Sequence, residues 1–173
     1  MFDAIMARLP RILRLEGPVH GEIASDPSAT GQAIAVTAIA AVISNLTADG
    51  NLFTNIIGAA IVAPIGLFVW TAISFALGKL FGGTADYLPL LRPIGYAAAP
   101  YALGIVPVIG ALAGAVYSAV IQVKTHREVN GLSQGAAIAV VVIPLGILLI
   151  LFFMLAVLVG IALLGGLSGL AEN

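Results

Sequence analysis

From Gly135 to Leu170 the chain carries no Asp, Glu, Lys, Arg or His. As a helix that stretch rises roughly 54 Å, and about 20 apolar residues already suffice to cross a bilayer's hydrocarbon core. Hydrophobic residues make up 61% of the 173, and charged ones only 9%, against about 25% in an ordinary soluble domain. The chain is therefore read as an integral membrane protein. Backbone polar groups that enter lipid must be paired within their own segment, so the expected fold class is all-α, a polytopic helical bundle.

Composition also removes several chemistries. There is no cysteine, which excludes disulfides and thiolate metal sites. The two histidines, His20 and His126, are far apart in sequence, so neither a multi-histidine metal cluster nor a His-based catalytic dyad is expected. A net charge of −1 supplies no field to attract nucleic acid. No cofactor is implied, and the expectation is a protein that is not an enzyme. The first residues mix Asp3, Arg8, Arg11, Arg14 and Glu16 with apolar ones, unlike a signal peptide. Insertion is expected to begin at the first transmembrane helix.

The first span opens at Ser25-Asp26-Pro27, where Asp26 can cap a helix and Pro27 needs no donor. Its apolar run covers Ala33 to Leu46 and ends in the turn cluster Thr47–Asn51. The second span runs from Leu52 to about Leu77, with Pro64 and Gly66 tolerated inside a bundle. Lys79–Arg92 reads as a polar connection. Pro93 to Val123 would be about 46 Å as one helix, and Pro100, Gly104, Pro107 and Gly110 favour a reversal around Val106-Pro107. Charge provides an independent test. With five spans, the N-terminal segment, Lys79–Arg92 and Lys124–Asn130 fall on one side and together hold all seven Lys and Arg residues. The positive-inside rule then selects five transmembrane helices, N-terminus cytoplasmic and C-terminus outside. Ser133 is placed to cap the last span, read as one long helix frayed after Gly165-Gly166, with a sixth short span as the alternative. In a prokaryote the membrane would be the inner or plasma membrane.

Two regions follow: residues 1–26, a cytoplasmic interfacial segment, and residues 27–170, the membrane domain. In the first, Phe2, Ile5, Met6, Leu9, Ile12 and Leu13 recur at helical spacing beside Arg8, Arg11 and Arg14. That pattern suits a helix on an anionic membrane surface, kinked by Pro10. Packing on the bundle's own cytoplasmic end is the other reading.

Among candidate sites, Gly110-Ala111-Leu112-Ala113-Gly114 is a GxxxG, which brings two helix backbones close, inside the bundle or across a homodimer face. Asp86, Tyr87, Arg92, Tyr96 and Tyr101 cluster in sequence at the entry to the third span. They read either as interface anchors or as a pocket in which Arg92 holds a lipid phosphate or a partner's carboxylate. Lys124, His126, Arg127 and Glu128 read as a solvated loop. Ser44, Asn45, Ser118 and Gln122 fit interhelical hydrogen bonding. No embedded acid pair is available for proton relay, which argues against an ion-coupled transporter.

Several short elements, in order, resemble the Yip1 family. They are Asp26-Pro27, Gln32-Ala33, Gly82-Gly83, Arg92-Pro93-Ile94-Gly95-Tyr96 through Pro100, Ile105 through Gly110, and Glu128-Val129-Asn130-Gly131-Leu132-Ser133. Arg92 through Pro100 resembles the family's Gly-Tyr-x-x-x-Pro element, and Asp26-Pro27, Gln32-Ala33 and Gly82-Gly83 are similar to prokaryotic members. The resemblance implies five spans and a cytoplasmic N-terminus. For prokaryotic-type members it implies a membrane protein of undefined biochemical role, and the function expected first is a non-enzymatic scaffold or adaptor affecting membrane organisation or protein and lipid traffic. Eukaryotic relatives bind small Rab-type GTPases, but Leu15-Glu16-Gly17-Pro18 lacks the tyrosine of their N-terminal element. The expected partners are membrane lipids, other membrane proteins or a second copy of the chain. A small-solute or lipid transporter is the alternative, built on the interrupted third and fourth spans.

Overall fold

The computed structural model, which describes the backbone of residues 1–171 and the side chains of residues 1–161, begins with the expected amphipathic helix. This is α1 (Phe2–Leu13), with Pro10 inside it and Ile5 and Ile12 buried. Leu15 then adopts a left-handed backbone (φ 59°), and the chain enters α2 (Gly17–Ser25), which buries Val19, His20, Ile23 and Ala24. A bend of 116° separates α2 from α3 (Ala29–Ser44). Asp26 builds that corner. Its Oδ1 accepts from the Ser28 amide at 2.9 Å and the Ser28 hydroxyl at 2.7 Å, an Asx turn that leaves Pro27 outside the helix it was expected to start.

Asn51 caps α4 (Leu52–Leu80), its side chain accepting from Thr54 N at 3.1 Å. The polar connection expected up to Arg92 is shorter than that, because α5 (Tyr87–Tyr96) takes up its second half and buries Leu90 through Tyr96. A 3-10 segment, Ala99–Ile105, follows. The chain reverses at Val106–Val108, where Val108 has φ 63°, and returns as α6 (Ile109–Glu128). The reversal lies where Pro107 was expected to force it. The arm leading up to it is a short α-helix joined to a 3-10 segment, since Pro100 lacks the donor that a continuous α-helix would need. The Lys124–Asn130 segment is not a solvated loop: α6 extends through Glu128, and Thr125 and His126 are fully buried.

The last helix, α7 (Gln134–Ala171), is single and stays helical past Gly165-Gly166, where fraying was expected. Ser133 starts it, accepting from Ala136 N at 3.3 Å. Two stretches, α4 and Gln134–Ile161 of α7, are long and apolar enough to cross a membrane, and the bent pair α2–α3 makes at most a third. Among the described residues at most three such spans are present, not five. The α3 helix has 16 residues and α5 has 10, while α6 dilutes its apolar run with Gln122, Lys124 and His126.

The chain divides at Val142 into two units. Within Met1–Val141 the main core joins Ile12, Val19, Ile23, Ala33, Leu67, Leu90, Leu91, Ile94 and Ile121, and a smaller one joins Leu132, Ala137 and Val140. The arm formed by α5 and the 3-10 segment runs beside α3 in the same direction: Arg92 meets Thr30, Gly95 meets Ala33, and Ile105 O accepts from Thr47. The α6 helix runs back along the 3-10 segment, Gly110 against Leu103 O and Gly114 against Pro100 O. The unit that begins at Val142 continues α7, and its described large apolar side chains, Leu149, Phe152 and Phe153 among them, are exposed.

Candidate functional site

Gly95 sits where α5 crosses α3. A Cβ there would lie 2.5 Å from Ala33 Cβ, so only glycine permits the crossing. The close approach brings four polar side chains into register. Tyr96, fully buried, donates through its hydroxyl to Gln32 Oε1 at 2.5 Å. Arg8 Nη1 donates to the same oxygen at 3.1 Å and pairs with Asp26 Oδ2 at 2.7 Å. One turn before Tyr96, Arg92 donates from Nε to Thr30 Oγ1 at 3.0 Å and from Nη1 to Ala24 O. Thr37 completes the seam by donating to Gly95 O at 3.2 Å. The corner between α2 and α3 is thus tied from both sides, by α1 and by α5.

Electrostatics at the corner follow from these contacts. The Ser28 hydroxyl, then the Arg8 guanidinium, hold the Asp26 carboxyl down to about 2. Arg11 is engaged as well, with Glu16 at 3.0 Å and Glu22 at 2.8 Å. Of the three arginines proposed for the membrane surface, Arg8 and Arg11 face acidic partners of the same chain, and Arg14 is exposed. At the other end of α1, Met1, Phe2 and Met6 are exposed apolar side chains.

The Asp86–Tyr101 cluster separates in space. Arg92 and Tyr96 share the α3 seam, whereas Asp86 is exposed ahead of α5 and Tyr101 is exposed on the 3-10 segment. Arg92, only 8% exposed, spends its donors inside the chain. Gly110 and Gly114 form a close contact with the carbonyls of the 3-10 segment, which is an intrachain packing face.

A second knot was not anticipated. Asn130, 2% exposed, accepts from Ala85 N through Oδ1 at 3.0 Å and from Thr84 N through its backbone oxygen at 3.1 Å. Gly78 and Gly83 make room for its amide. Gln122 ties α6 to α4 by accepting from Trp70 Nε1 at 2.5 Å, an interhelical bond of the expected kind, and His20 Nδ1 meets Thr125 Oγ1 at 2.9 Å. The sequence signals for these were present: an Asn-Gly turn, and glycines spaced to receive a side chain. Chemically, both knots fasten one segment to another, and their donors and acceptors are turned inward.

The comparisons with known proteins match this arrangement to one family. The family model described as the Yip1 domain matches residues 20–157. That range takes in the Asn130 knot and the polar corner apart from Arg8, which lies on α1 outside the match. No curated protein and no solved structure matches the chain.

Proposed function

The chain belongs to the Yip1 domain family, and from that premise we propose that it is a non-enzymatic membrane scaffold or adaptor. It acts by presenting apolar helix faces to lipid and to other membrane proteins, with effects on membrane organisation or on protein and lipid traffic. The observation that carries this reading is the inward satisfaction of the polar corner. Arg8, Asp26, Gln32, Arg92 and Tyr96 are occupied by one another and by the backbone. Meanwhile Ile61, Val62, Ile65 and Val69 of α4 are exposed apolar groups, more suited to lipid or to a partner helix than to water.

The topology that goes with it is five crossings, with the N-terminus cytoplasmic and the C-terminus outside. Support comes from the charge distribution and from the arm of α5 plus the 3-10 segment, which runs parallel to α3 up to the Thr47–Ile105 contact. That arm replaces a regular helix as the third crossing. The transporter reading has one observation in its favour, the interruption of the same arm at Ala97–Ala98, since broken helices line binding sites in transporters.

Two measurements on one preparation separate the readings. A photoreactive residue at Ile61 or Ile65 should cross-link to membrane proteins or lipid in intact membranes. Proteoliposomes of the purified chain should show no flux of small solutes or of labelled lipid above empty vesicles. Flux that depends on the protein, with no cross-linked partner, would replace the scaffold by the transporter.

A further inference from the structure

Along α6, Gly110, Gly114, Ser118, Gln122 and His126 follow one another at every fourth position, and Asn130 continues the row beyond the helix. All are buried. Residues spaced by four form one ridge of a helix. The glycine end of this ridge meets the carbonyls of Leu103 and Pro100, and its polar end faces α4. Trp70 bonds Gln122, and two turns later Gly78 lies against the Asn130 amide. Ser74 stands midway between Trp70 and Gly78, as His126 does between Gln122 and Asn130. With the register pinned above and below, Ser74 and His126 lie at one level of the two helices. Both are 0% exposed, yet neither Ser74 Oγ nor His126 Nε2 has a hydrogen-bond partner.

The neighbouring bonds say which kind of group is unpaired. Asn130 Oδ1 accepts from Ala85 N, so the atom turned toward His126 Nδ1, at 3.4 Å, is the amide nitrogen Nδ2. An amide nitrogen only donates. His126 Nδ1 therefore accepts, and the ring proton resides on Nε2. The seam holds an N–H donor and a hydroxyl, both stripped of solvent and not bonded to each other. Leaving two such groups bare in a membrane protein's interior is costly, and a buried water with two or more polar partners removes that cost.

We propose that an ordered water molecule occupies the α4–α6 seam, accepting from His126 Nε2–H and donating to Ser74 Oγ. Thr71 Oγ1, one turn earlier on α4, is also buried and unpartnered and supplies a third wall. The water thereby joins the Asn130–His126 pair of α6 to the buried hydroxyls of α4.

The full chain carrying nitrogen-15 histidine, reconstituted in phosphatidylcholine vesicles, tests this by magic-angle-spinning NMR with polarisation transferred from water. The His126 signal is assigned by its loss in His126→Gln. The expected spectrum shows the proton on Nε2 and Nδ1 bare. The Nε2–H should receive polarisation from water at mixing times that leave core amides dark. Ser74→Ala should weaken that transfer, and Ser74→Thr, which keeps the hydroxyl, should preserve it. A proton on Nδ1, or an Nε2–H as dark as the core amides, overturns the proposal in the parent protein alone, whether or not the variants fold. Transfer unchanged in Ser74→Ala removes Ser74 as the partner and overturns it equally.

Discussion

At Gly95 a single methyl group decides whether α3 and α5 can cross. The added Cβ of Gly95→Ala would stand 2.5 Å from Ala33 Cβ and 2.9 Å from its Cα, and neither neighbour is a flexible side chain. Overpacking of this kind costs about 1–3 kcal/mol. Gly66→Ala, with nothing within 4 Å of its Cβ, should be neutral, and thermal unfolding in detergent compares the two. Arg92→Lys keeps the charge but cannot reach Thr30 Oγ1 and Ala24 O together. A loss of roughly 1.5–3 kcal/mol per charged hydrogen bond removed is expected, and an unfolding midpoint equal to the parent's would show that the guanidinium contacts carry nothing. At the corner, Asp26 has its carboxyl depressed from 3.8 to about 2. Its contribution is therefore fully present above pH 3.8 and is lost only as the pH falls through about 2. A carbon-13 titration of Asp26 should give a midpoint near 2 in the parent. The midpoint should move toward 3.8 in both Ser28→Ala and Arg8→Ala, because each removes a group that holds the carboxylate ionised.

The elements differ in how openly the chain announces them. Period and charge were enough for α1, α4 and α7: an apolar stripe beside arginines, and two runs too apolar for anything but a membrane helix. The nine-residue α2 was missed because Pro18 and Gly21 dilute its pattern, and its buried face includes His20, a residue that hydropathy assigns to solvent. The first half of α5 was missed because Pro89 and Arg92 look like loop, although Arg92 is buried by partners that lie 62 and 68 residues away. Distant pairing is invisible to local pattern. The family-like elements, however, prove to be contact pairs: Gln32-Ala33 with Gly95-Tyr96, and Gly83 with Asn130. Their order along the chain carried information about packing that no single element did. The Asn130 knot yields a prediction at this scale. Asn130→Ala strands the Ala85 amide in a buried position, which costs about 1–3 kcal/mol. It should also loosen the α4–α5 loop, giving faster hydrogen exchange at Ala85. Exchange at Ala85 unchanged from the parent would show that the side chain does not hold the loop.

The whole chain combines a tied polar corner with exposed apolar faces, and the account stands on how these lie across a membrane. Single cysteines can be introduced at exposed positions whose side chains take no part in either knot: Asp49, Thr84, Pro107 and Arg127. In intact cells or right-side-out vesicles, an impermeant maleimide should modify Asp49→Cys and Pro107→Cys. It should reach Thr84→Cys and Arg127→Cys only after the membrane is opened. That pattern requires the arm of α5 and the 3-10 segment to traverse the bilayer beside α3. Labelling of Arg127→Cys from outside, or protection of Pro107→Cys while Asp49→Cys is modified, would contradict the five crossings and the scaffold built on them.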